Sequence, residues 1–312
     1  MGGYLRSGFE SDRLDKMRSE IEKAVQLMRL GRPEATEEAL ALLQNTVFSF
    51  SMRVCGQRED AEDTMQEVLL KSVPYLPKFD NPKALVVWLY RVAKNRCLMS
   101  RRRSKFAPKQ DLSLEELMPD RQELERLSQD NAINPEAFAI RSEEAGRLRQ
   151  AIQRLPPQYR IVLVLRDMEG LTDEEVAEIT GLRARTVRVR LHRARLFVRK
   201  ELMKDWDPLL RRHAHQTPLG GGPPVKPRPA RCKAMFAELS NYLDERLDDS
   251  LCVELEKHLN GCAPCQVFLA SLQATIKECR KSSVEGPHRA RAGELRLRLL
   301  ADYERLVTKN IR

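Results

Sequence analysis

The chain has 312 residues, of which 42% are hydrophobic and 5% aromatic, and its formal net charge is +10 at pH 7. Leu, Arg, Glu and Ala dominate, a composition that favours packed helical domains and argues against a β-sandwich or β-barrel. The positive charge makes a polyanion a candidate partner, provided that it is concentrated on particular elements.

The first predicted elements are four amphipathic helices that together form one domain within residues 1–106. Their apolar residues recur at helical spacing, and Pro74 stops the third helix while Pro82 lies in the first turn of the fourth. The predicted ranges are about 11–30, 36–56, 60–73 and 82–105.

The rest of the chain divides at two predicted linkers. Residues 107–139 are polar and lack strong periodicity, and a second helical domain follows at 140–204. The segment "HQTPLGGGPPVKPRPA", within a second linker at 205–230, is too rich in Pro and Gly for regular structure. Beyond it we expect a small module at 231–280 and a basic helical tail at 281–312.

The second helical domain ends in the helix-turn-helix pattern "GLTDEEVAEITGLRARTVRVRLHRARLFVRKEL". Thr172 and Glu175 have the spacing of a capping box, and Gly181 permits a tight turn before a longer helix that starts near Ala184. Residues 183–204 contain nine basic residues and one acid. Positive charge is thus concentrated where a recognition helix meets phosphates and guanine edges. The alternative is an ordinary helical hairpin with a solvated arginine-rich face.

The fourth helix of the first domain carries a second basic segment. Residues 91–105 contain seven basic residues and no acid, next to two aromatic residues, a combination that suits a surface for single-stranded nucleic acid. Trp88 shares a face with Leu85, Leu89 and Val92, so we expect Trp88 in the core rather than as a stacking platform. The candidates for nucleic-acid contact are Tyr90, Arg91, Lys94 and Asn95.

The preceding helix, "EDAEDTMQEVLLKS", has an acidic and polar face. Such a face can dock a protein while the neighbouring basic helix takes nucleic acid, although acidic helix faces are more often simply solvated. The residues predicted to point outward are Glu62, Asp63, Gln66 and Glu67.

Three segments together resemble a known family. "DAEDTMQEVLL", "WLYRVAKNRCLMSRRR" and "LPPQYRIVLVLRDMEGLTDEEVAEITGLRARTVRVRLHRAR" are similar, in this order, to regions 2 and 4 of bacterial sigma factors of the extracytoplasmic-function (ECF) group. The resemblance covers about residues 37–204. It implies a protein that binds core RNA polymerase and directs promoter-specific transcription initiation, and we expect no enzymatic activity.

The resemblance also implies roles for particular residues. The acidic helix would bind the clamp coiled coil of core polymerase through Asp63, Gln66 and Glu67. The basic helix would melt and read the −10 element through Tyr90, Arg91, Lys94, Asn95, Arg101, Arg102 and Arg103. The recognition helix would read the −35 element through Arg185, Thr186, Arg188, Val189, His192 and Arg193. Met99 stands where the family usually has aspartate and Asp173 where tyrosine is common, which leaves the promoter sequence open.

The predicted C-terminal module contains a candidate metal site in "HLNGCAPC". Zinc takes about four nitrogen or sulfur ligands, and His258, Cys262 and Cys265 offer three. We favour Cys232 as the fourth ligand, because a helical hairpin would return it to the cluster. The alternatives are Cys252 and Cys279.

The segment "CKAMFAELSNYLDERLDDSLCVELEKHLNGCAPC" resembles the zinc-binding fold of anti-sigma factors. Four ligands would close the metal site, so the sequence favours a structural zinc over a catalytic one, and unmetallated buried cysteines are the alternative. The resemblance suggests an anti-sigma-type regulation, either by contact with the sigma regions of the same chain or through a separate regulator.

Two other functions fit parts of the sequence. A helix-turn-helix regulator that never joins polymerase would not need residues 37–105 for DNA binding, and a zinc hydrolase would need Cys262 for turnover. The N-terminus has no apolar run suited to export and the longest aliphatic stretch, 161–165, is too short to span a bilayer, so we expect a cytoplasmic protein without membrane insertion. The seven cysteines favour reduced thiols and a metal site over a disulfide framework.

Overall fold

A computed structural model describes residues 12–30, 32–76, 79, 81–101, 111–119, 146–206, 230–282, 284 and 286–310. Within these ranges every regular element is a helix and no strand occurs, which confirms the predicted all-α fold. The chain forms two compact units, each assembled from segments that lie far apart in sequence. Among the described residues, the N-terminal unit comprises those within 12–101, 160–187 and 282–310, and the C-terminal unit comprises 111–119, 146–159, 188–206 and 230–281.

The helices are numbered in chain order. They are α1 (Asp12–Arg29), α2 (Pro33–Cys55), α3 (Arg58–Ser72), α4 (Pro82–Arg101), α5 (Leu114–Leu117), α6 (Arg147–Arg154), α7 (Pro157–Leu163), α8 (Asp173–Thr180), α9 (Ala184–Trp206), α10 (Ala230–Leu243), α11 (Asp249–Asn260), α12 (Ala263–Lys281) and α13 (Arg289–Asn310). A short π-helical turn, Val164–Met168, continues from the end of α7.

The N-terminal unit is built around α2. This helix packs against α1, α3, α4 and α13, and its apolar residues Leu40, Leu43 and Val47 are fully buried. It starts with Pro33 in the first turn and ends at Gly56, whose left-handed backbone (φ 84°) lets its N–H bond the Met52 carbonyl. A sharp stop at Gly56 allows α3 to fold back along α2.

A disulfide joins α2 to α4 in this unit. Cys55 and Cys97 are 42 residues apart in sequence, and the packing of their helices brings the two Cα atoms to 5.5 Å. The expectation of reduced thiols is therefore wrong for these two residues, because cysteine spacing along the chain does not reveal which helices become neighbours. The other five cysteines form no disulfide.

The helix-turn-helix pattern forms as the sequence predicts. The Thr172 side chain accepts a hydrogen bond from the Glu175 amide, and the Glu175 carboxylate accepts one from the Thr172 amide, which completes the capping box at the start of α8. Helix α8 ends at Gly181, which has a left-handed backbone (φ 73°). Helix α9 then begins at Ala184.

The C-terminal unit contains α10, α11 and α12 together with most of α9. Helix α12 packs against α10 and α11, with the rings of Phe236 and Phe268 in an edge-to-face contact at 4.7 Å between centroids. Asp248 caps α11 by accepting a hydrogen bond from the Leu251 amide at 3.0 Å. These helices form a small apolar core.

Part of the first predicted linker belongs to this unit. Residues 111–119 include α5, and Leu117 and Met118 are buried. The Tyr159 hydroxyl accepts a hydrogen bond from the Leu112 amide at 3.2 Å. Most of the second predicted linker and the remainder of the first lie outside the described residues. Among the helices that are described, none is long and apolar enough to cross a membrane.

Candidate DNA-reading helices and metal centre

Four side chains from three helix ends converge in the C-terminal unit. Cys232 lies in the first turn of α10, His258 in the last turn of α11, and Cys265 in the first turn of α12. Cys262 lies in the tight turn after α11, where its carbonyl accepts hydrogen bonds from the next turn of the chain. Their ligand atoms all lie within 4.8 Å of one another. The structure thus brings together the four residues predicted from sequence, and Cys252 and Cys279 lie outside this group.

The separations suit a tetrahedral ion with nitrogen and sulfur ligands. The His258 Nε2 atom lies 3.7 Å from the Cys232 sulfur and 3.2 Å from the Cys265 sulfur. A zinc ion with ordinary bond lengths separates its ligand atoms by about 3.5–3.8 Å. Cys232, His258 and Cys265 are buried and Cys262 is half-buried, so protein groups fill the coordination positions. This is the arrangement of a structural metal site.

Without a metal, two of the thiols in this group are weaker acids than an ordinary cysteine. Burial raises the pKa of Cys265 and of Cys232, and in Cys265 the neighbouring Cys262 raises it further. Metal binding requires the thiolate forms, so it would release protons and offset the cost of burying the group.

The first turns of α9 present the predicted −35 residues to solvent. Arg185 is exposed, Thr186, Arg188 and Arg193 are half-buried, and the Val189 side chain is 45% exposed. In a helix-turn-helix the N-terminal residues of the recognition helix contact the base edges. The exposed residues therefore occupy the part of α9 that base reading requires.

The later turns of α9 are covered by the C-terminal module. The His192 Nδ1 atom lies 2.7 Å from the Ser240 hydroxyl on α10, and the Arg195 guanidinium donates two hydrogen bonds of 2.9 Å to the Asp244 carboxylate. His192 is predicted to read the −35 element and so to face solvent, and this expectation is wrong, because the module packs on its face of α9 and on that of Arg195. Nothing in the local spacing of α9 identifies Ser240 and Asp244 as their partners.

A third contact extends the same interface by one turn. The Arg199 Nε atom donates to the Ser271 hydroxyl on α12 at 2.6 Å, and its guanidinium lies 3.7 Å from the centre of the Phe268 ring. Arg195 and Arg199 are almost fully buried. Within the module, the Asp244 carboxylate pairs with the charge of Arg195, and Ser271 and the Phe268 ring contact Arg199.

Helix α4 exposes some of the predicted −10 residues and buries another. Asn95 and Arg91 are exposed and Lys94 is half-buried, whereas Tyr90 is 0% exposed and donates to the Glu169 carboxylate at 2.8 Å. The prediction of Tyr90 as a surface residue is wrong, because other helices of the unit cover its face of α4. The Arg101 side chain, Arg102 and Arg103 lie outside the described residues.

The aromatic residues of α4 are arranged opposite to the expectation. Trp88, predicted in the core, is half-buried, and its ring lies 5.8 Å from that of the exposed Tyr75 and 6.1 Å from that of Phe79. Periodicity within α4 predicted a single buried face, but this helix has neighbours on more than one side.

The acidic face of α3 remains accessible at the predicted polymerase contacts. Asp63 and Gln66 are exposed, and Glu67 pairs with Lys71 and Arg96 at 2.7 Å in each case. These five residues, together with Leu70, line an open depression between α3 and α4.

Glu62, also predicted to point outward, is buried beneath the C-terminal tail. It accepts hydrogen bonds from the Arg291 guanidinium at 2.8 Å and from the His288 amide at 3.2 Å. Burial raises the pKa of the Glu62 carboxyl, but the Arg291 and His288 bonds outweigh burial and hold it below its usual value. The tail helix α13 therefore rests on the helix that carries the predicted polymerase contacts.

Comparisons with known proteins assign families to the parts of the chain. The "Sigma-70 region 2" family matches residues 40–106, the "Sigma-70, region 4" family matches residues 145–198, and the "Putative zinc-finger" family matches residues 232–266. The metal-ligand group lies within the last of these matches.

Curated relatives agree with this assignment. The chain is 29% identical to the ECF RNA polymerase sigma factor SigW of Bacillus subtilis, over 58% of this chain and 96% of the relative. It is 30% identical to the RNA polymerase sigma-H factor of Pseudomonas aeruginosa, over 61% of this chain and 95% of the relative. A solved structure of the sigma factor RpoE with the anti-sigma factor NepR from Bartonella quintana is 20% identical and covers 53% of this chain and 95% of that chain. Its TM-score of 0.37 is too low to carry an argument.

Proposed function

The chain belongs to the ECF group of RNA polymerase sigma factors, and we propose that its C-terminal metal module restrains promoter recognition within the same chain. Sigma factors of this group direct RNA polymerase to promoters and so initiate transcription, and the chain has this function. Membership of the group disfavours a helix-turn-helix regulator that never joins polymerase.

We assign the contacts with polymerase and promoter to residues of α3, α4 and α9 and of the segment that follows α4. On α3, Asp63, Gln66 and Glu67 bind the clamp of core polymerase. On α4, the −10 element is read by Arg91, Lys94 and Asn95, continued by Arg101, Arg102 and Arg103. On α9, the −35 element is read by Arg185, Thr186, Arg188, Val189 and Arg193. Tyr90 and His192 join these surfaces only when the elements that bury them move away.

The contact between α9 and the module carries the proposal of restraint in cis. His192, at the end of the predicted reading surface, and Arg195, one turn further, are bonded to α10 and the turn that follows it. A duplex lying along the first turns of α9 would meet the docked module at the next turn. Docking and full −35 recognition therefore compete for the same helix.

The metal site supports this interface from within the module. Cys232, His258, Cys262 and Cys265 fit zinc, and a bound zinc would tie together the start of α10, the end of α11 and the start of α12. Helices α10 and α12 provide Ser240, Ser271 and Phe268, which contact α9. We assign the site a structural role, and we propose that the chain has no catalytic activity.

The tail helix provides a second contact with the sigma regions. Arg291 pairs with Glu62 on α3, next to the predicted clamp contact Asp63, and the Gln44 side chain of α2 donates to the Ala292 carbonyl at 2.9 Å. A tail bound here places α13 close to the surface that polymerase needs. Because RNA polymerase acts in the cytoplasm, we place this protein there as well.

The restraint is tested by run-off transcription with core polymerase, the full chain and a promoter library. Asp244→Asn removes the carboxylate charge opposite Arg195. The docked state then keeps a buried guanidinium without its carboxylate partner, and in comparable sites the loss of one partner of a buried ion pair destabilises that state by about 3–5 kcal/mol. We expect promoter-specific transcripts to increase several-fold.

The matched control is Asp249→Asn, which removes the same charge from an exposed position at the start of α11. It should leave transcript levels near those of the wild type. Equal transcription from Asp244→Asn and wild type would exclude restraint through this contact. No promoter-specific start from any variant would defeat the assigned function as well.

A further inference from the structure

The two DNA-reading regions contact each other directly within the N-terminal unit. Helix α8, the first helix of the helix-turn-helix, packs against α4. The Arg91 guanidinium donates to the Glu178 carbonyl at 2.9 Å, and the Lys94 ammonium donates to the Ile179 carbonyl at 2.9 Å. These carbonyls belong to the last turn of α8, where helix carbonyls lack intrahelical partners and the helix dipole is negative. The predicted −10 residues thus bind the end of another helix.

A buried ionic group fastens the same contact. The Glu169 carboxylate, between the π-helical turn and α8, is paired with Arg53 of α2 and accepts a hydrogen bond from the Tyr90 hydroxyl of α4. All three residues are buried. Nearby, the buried Arg160 of α7 donates to the Val54 carbonyl of α2 at 2.9 Å. Glu169 and Arg160 belong to region 4, and their partners belong to region 2.

The charges on the two helices are complementary. Helix α8 carries four acidic residues and no basic residue, whereas α4 carries the basic segment that starts at Arg91. At the edge of the contact, Lys83 lies 3.4 Å from Glu175, and Arg91 lies 3.5 Å from the Glu178 carboxylate. The acidic α8, whose sequence has no evident role in DNA binding, is therefore suited to cover the basic α4.

We propose that α4 and α8 form a clasp that holds regions 2 and 4 closed on each other and occupies the face of α4 that reads the −10 strand. This proposal rests on the assigned sigma function, because only a DNA-reading role for α4 makes the clasp inhibitory. In the closed state Arg91 and Lys94 are engaged by α8, so a nucleic acid binds only the open fraction of molecules. Its apparent affinity falls in proportion to that fraction.

Two substitutions in region 4 open the clasp without changing a DNA-reading residue. Glu169→Gln removes the charge opposite buried Arg53 and penalises only the closed state, since both groups become hydrated when the regions separate. Glu178→Lys places a positive charge beside Arg91 and Lys94. The control is Glu174→Lys, which makes the same charge change one turn earlier on α8 at an exposed position.

Closure is read by zero-length carbodiimide cross-linking of the full chain, which couples an amine to a carboxylate only in direct contact. We expect a Lys83–Glu175 cross-linked peptide in the wild type and in Glu174→Lys. Its yield should fall about tenfold or more in Glu169→Gln, where a buried pair is broken, and about threefold in Glu178→Lys, where the pair is exposed.

Binding of a short fluorescein-labelled oligothymidylate is measured on the same proteins. We expect its affinity to rise in proportion to the open fraction, more in Glu169→Gln than in Glu178→Lys, and to change much less in Glu174→Lys. Equal cross-link yields in all four proteins would contradict the clasp. A loss of the cross-link without a gain in oligothymidylate affinity would contradict it as well. Neither measurement contains polymerase. An absence of promoter-specific transcription would therefore contradict the assigned sigma function, whereas the cross-link would still report whether α4 and α8 are in contact.

Discussion

His192 illustrates how one residue reports on the docking of the module. Burial, together with the nearby charges of Arg195 and Arg193, lowers the pKa of His192 to about 4, while Asp244 acts in the opposite direction. The Ser240 hydroxyl on α10 completes the surroundings of the ring. The docked state therefore favours the neutral imidazole at neutral pH.

The sign of the pH dependence follows from this shift. An undocked His192 would titrate near the ordinary value of 6.5, so the docked state binds fewer protons between about pH 6.5 and pH 4. Docking is at full strength above this window and weakens as the pH falls through it, by up to about tenfold per pH unit. Proton NMR of the imidazole, assigned with His192→Gln, should give a midpoint near 4 in the wild type.

The Asp244→Asn variant separates docking from local charge. Removing a nearby carboxylate would lower the pKa of a histidine that stays docked, whereas undocking would raise it toward its ordinary value. We expect the rise. A wild-type midpoint near 6.5 would contradict burial of His192 by the module.

At the scale of elements, a bound zinc would hold α10, α11 and α12 together. The four candidate ligands lie at helix ends, so a small number of metal bonds would fix the positions of three helices in a module with a small apolar core. Structural zinc sites commonly supply much of the folding free energy of such modules. The contact with α9 therefore depends on a site that does not touch α9.

Metal removal should loosen the module and its contact with α9. We expect the purified full chain to contain a single zinc ion and Cys262→Ser to lose it, with faster amide hydrogen exchange in α10 and α12. Cys252→Ser is the matched control, because Cys252 is buried in the same module but lies outside the ligand group. Zinc content is measured by elemental analysis. Equal zinc loss in both variants, or a zinc-free wild type, would contradict the assignment.

At the scale of the whole molecule, chain segments distant in sequence assemble each unit. The N-terminal unit combines helices from region 2, the middle of region 4 (160–187) and the tail, and the Cys55–Cys97 disulfide links two of the helices of its core. In the chain-entropy treatment, closing a loop of 42 residues stabilises the folded state by about 4 kcal/mol.

Reduction of this disulfide should lower the stability of the N-terminal unit. Urea unfolding followed by hydrogen exchange of α2 and α4 is expected to show a loss of about 2–4 kcal/mol in unfolding free energy with a phosphine reductant. The double variant Cys55→Ser and Cys97→Ser should be insensitive to the reductant. A wild type that is equally insensitive would show that the bond does not form in solution.

The sequence by itself determined the features that depend on neighbouring residues in the chain. The capping box of Thr172 and Glu175 and the turn at Gly181 follow from backbone hydrogen bonding within a few residues. The spacing of His258, Cys262 and Cys265 reflects the geometry of one helix end. These local rules were sufficient to predict the helical fold and three of the four metal ligands. The fourth, Cys232, was favoured over Cys252 and Cys279 by assuming a helical hairpin, and the family resemblance extended the prediction to a sigma factor.

Only the tertiary structure decided which helix faces are covered. The burial of Tyr90, the partial exposure of Trp88 and the pairing of Cys55 with Cys97 depend on which helices pack beside α4. His192 is buried because Ser240, 48 residues further along the chain, packs against it. Helical periodicity describes the faces of one helix in isolation, whereas burial depends on contacts between helices, which no local pattern encodes.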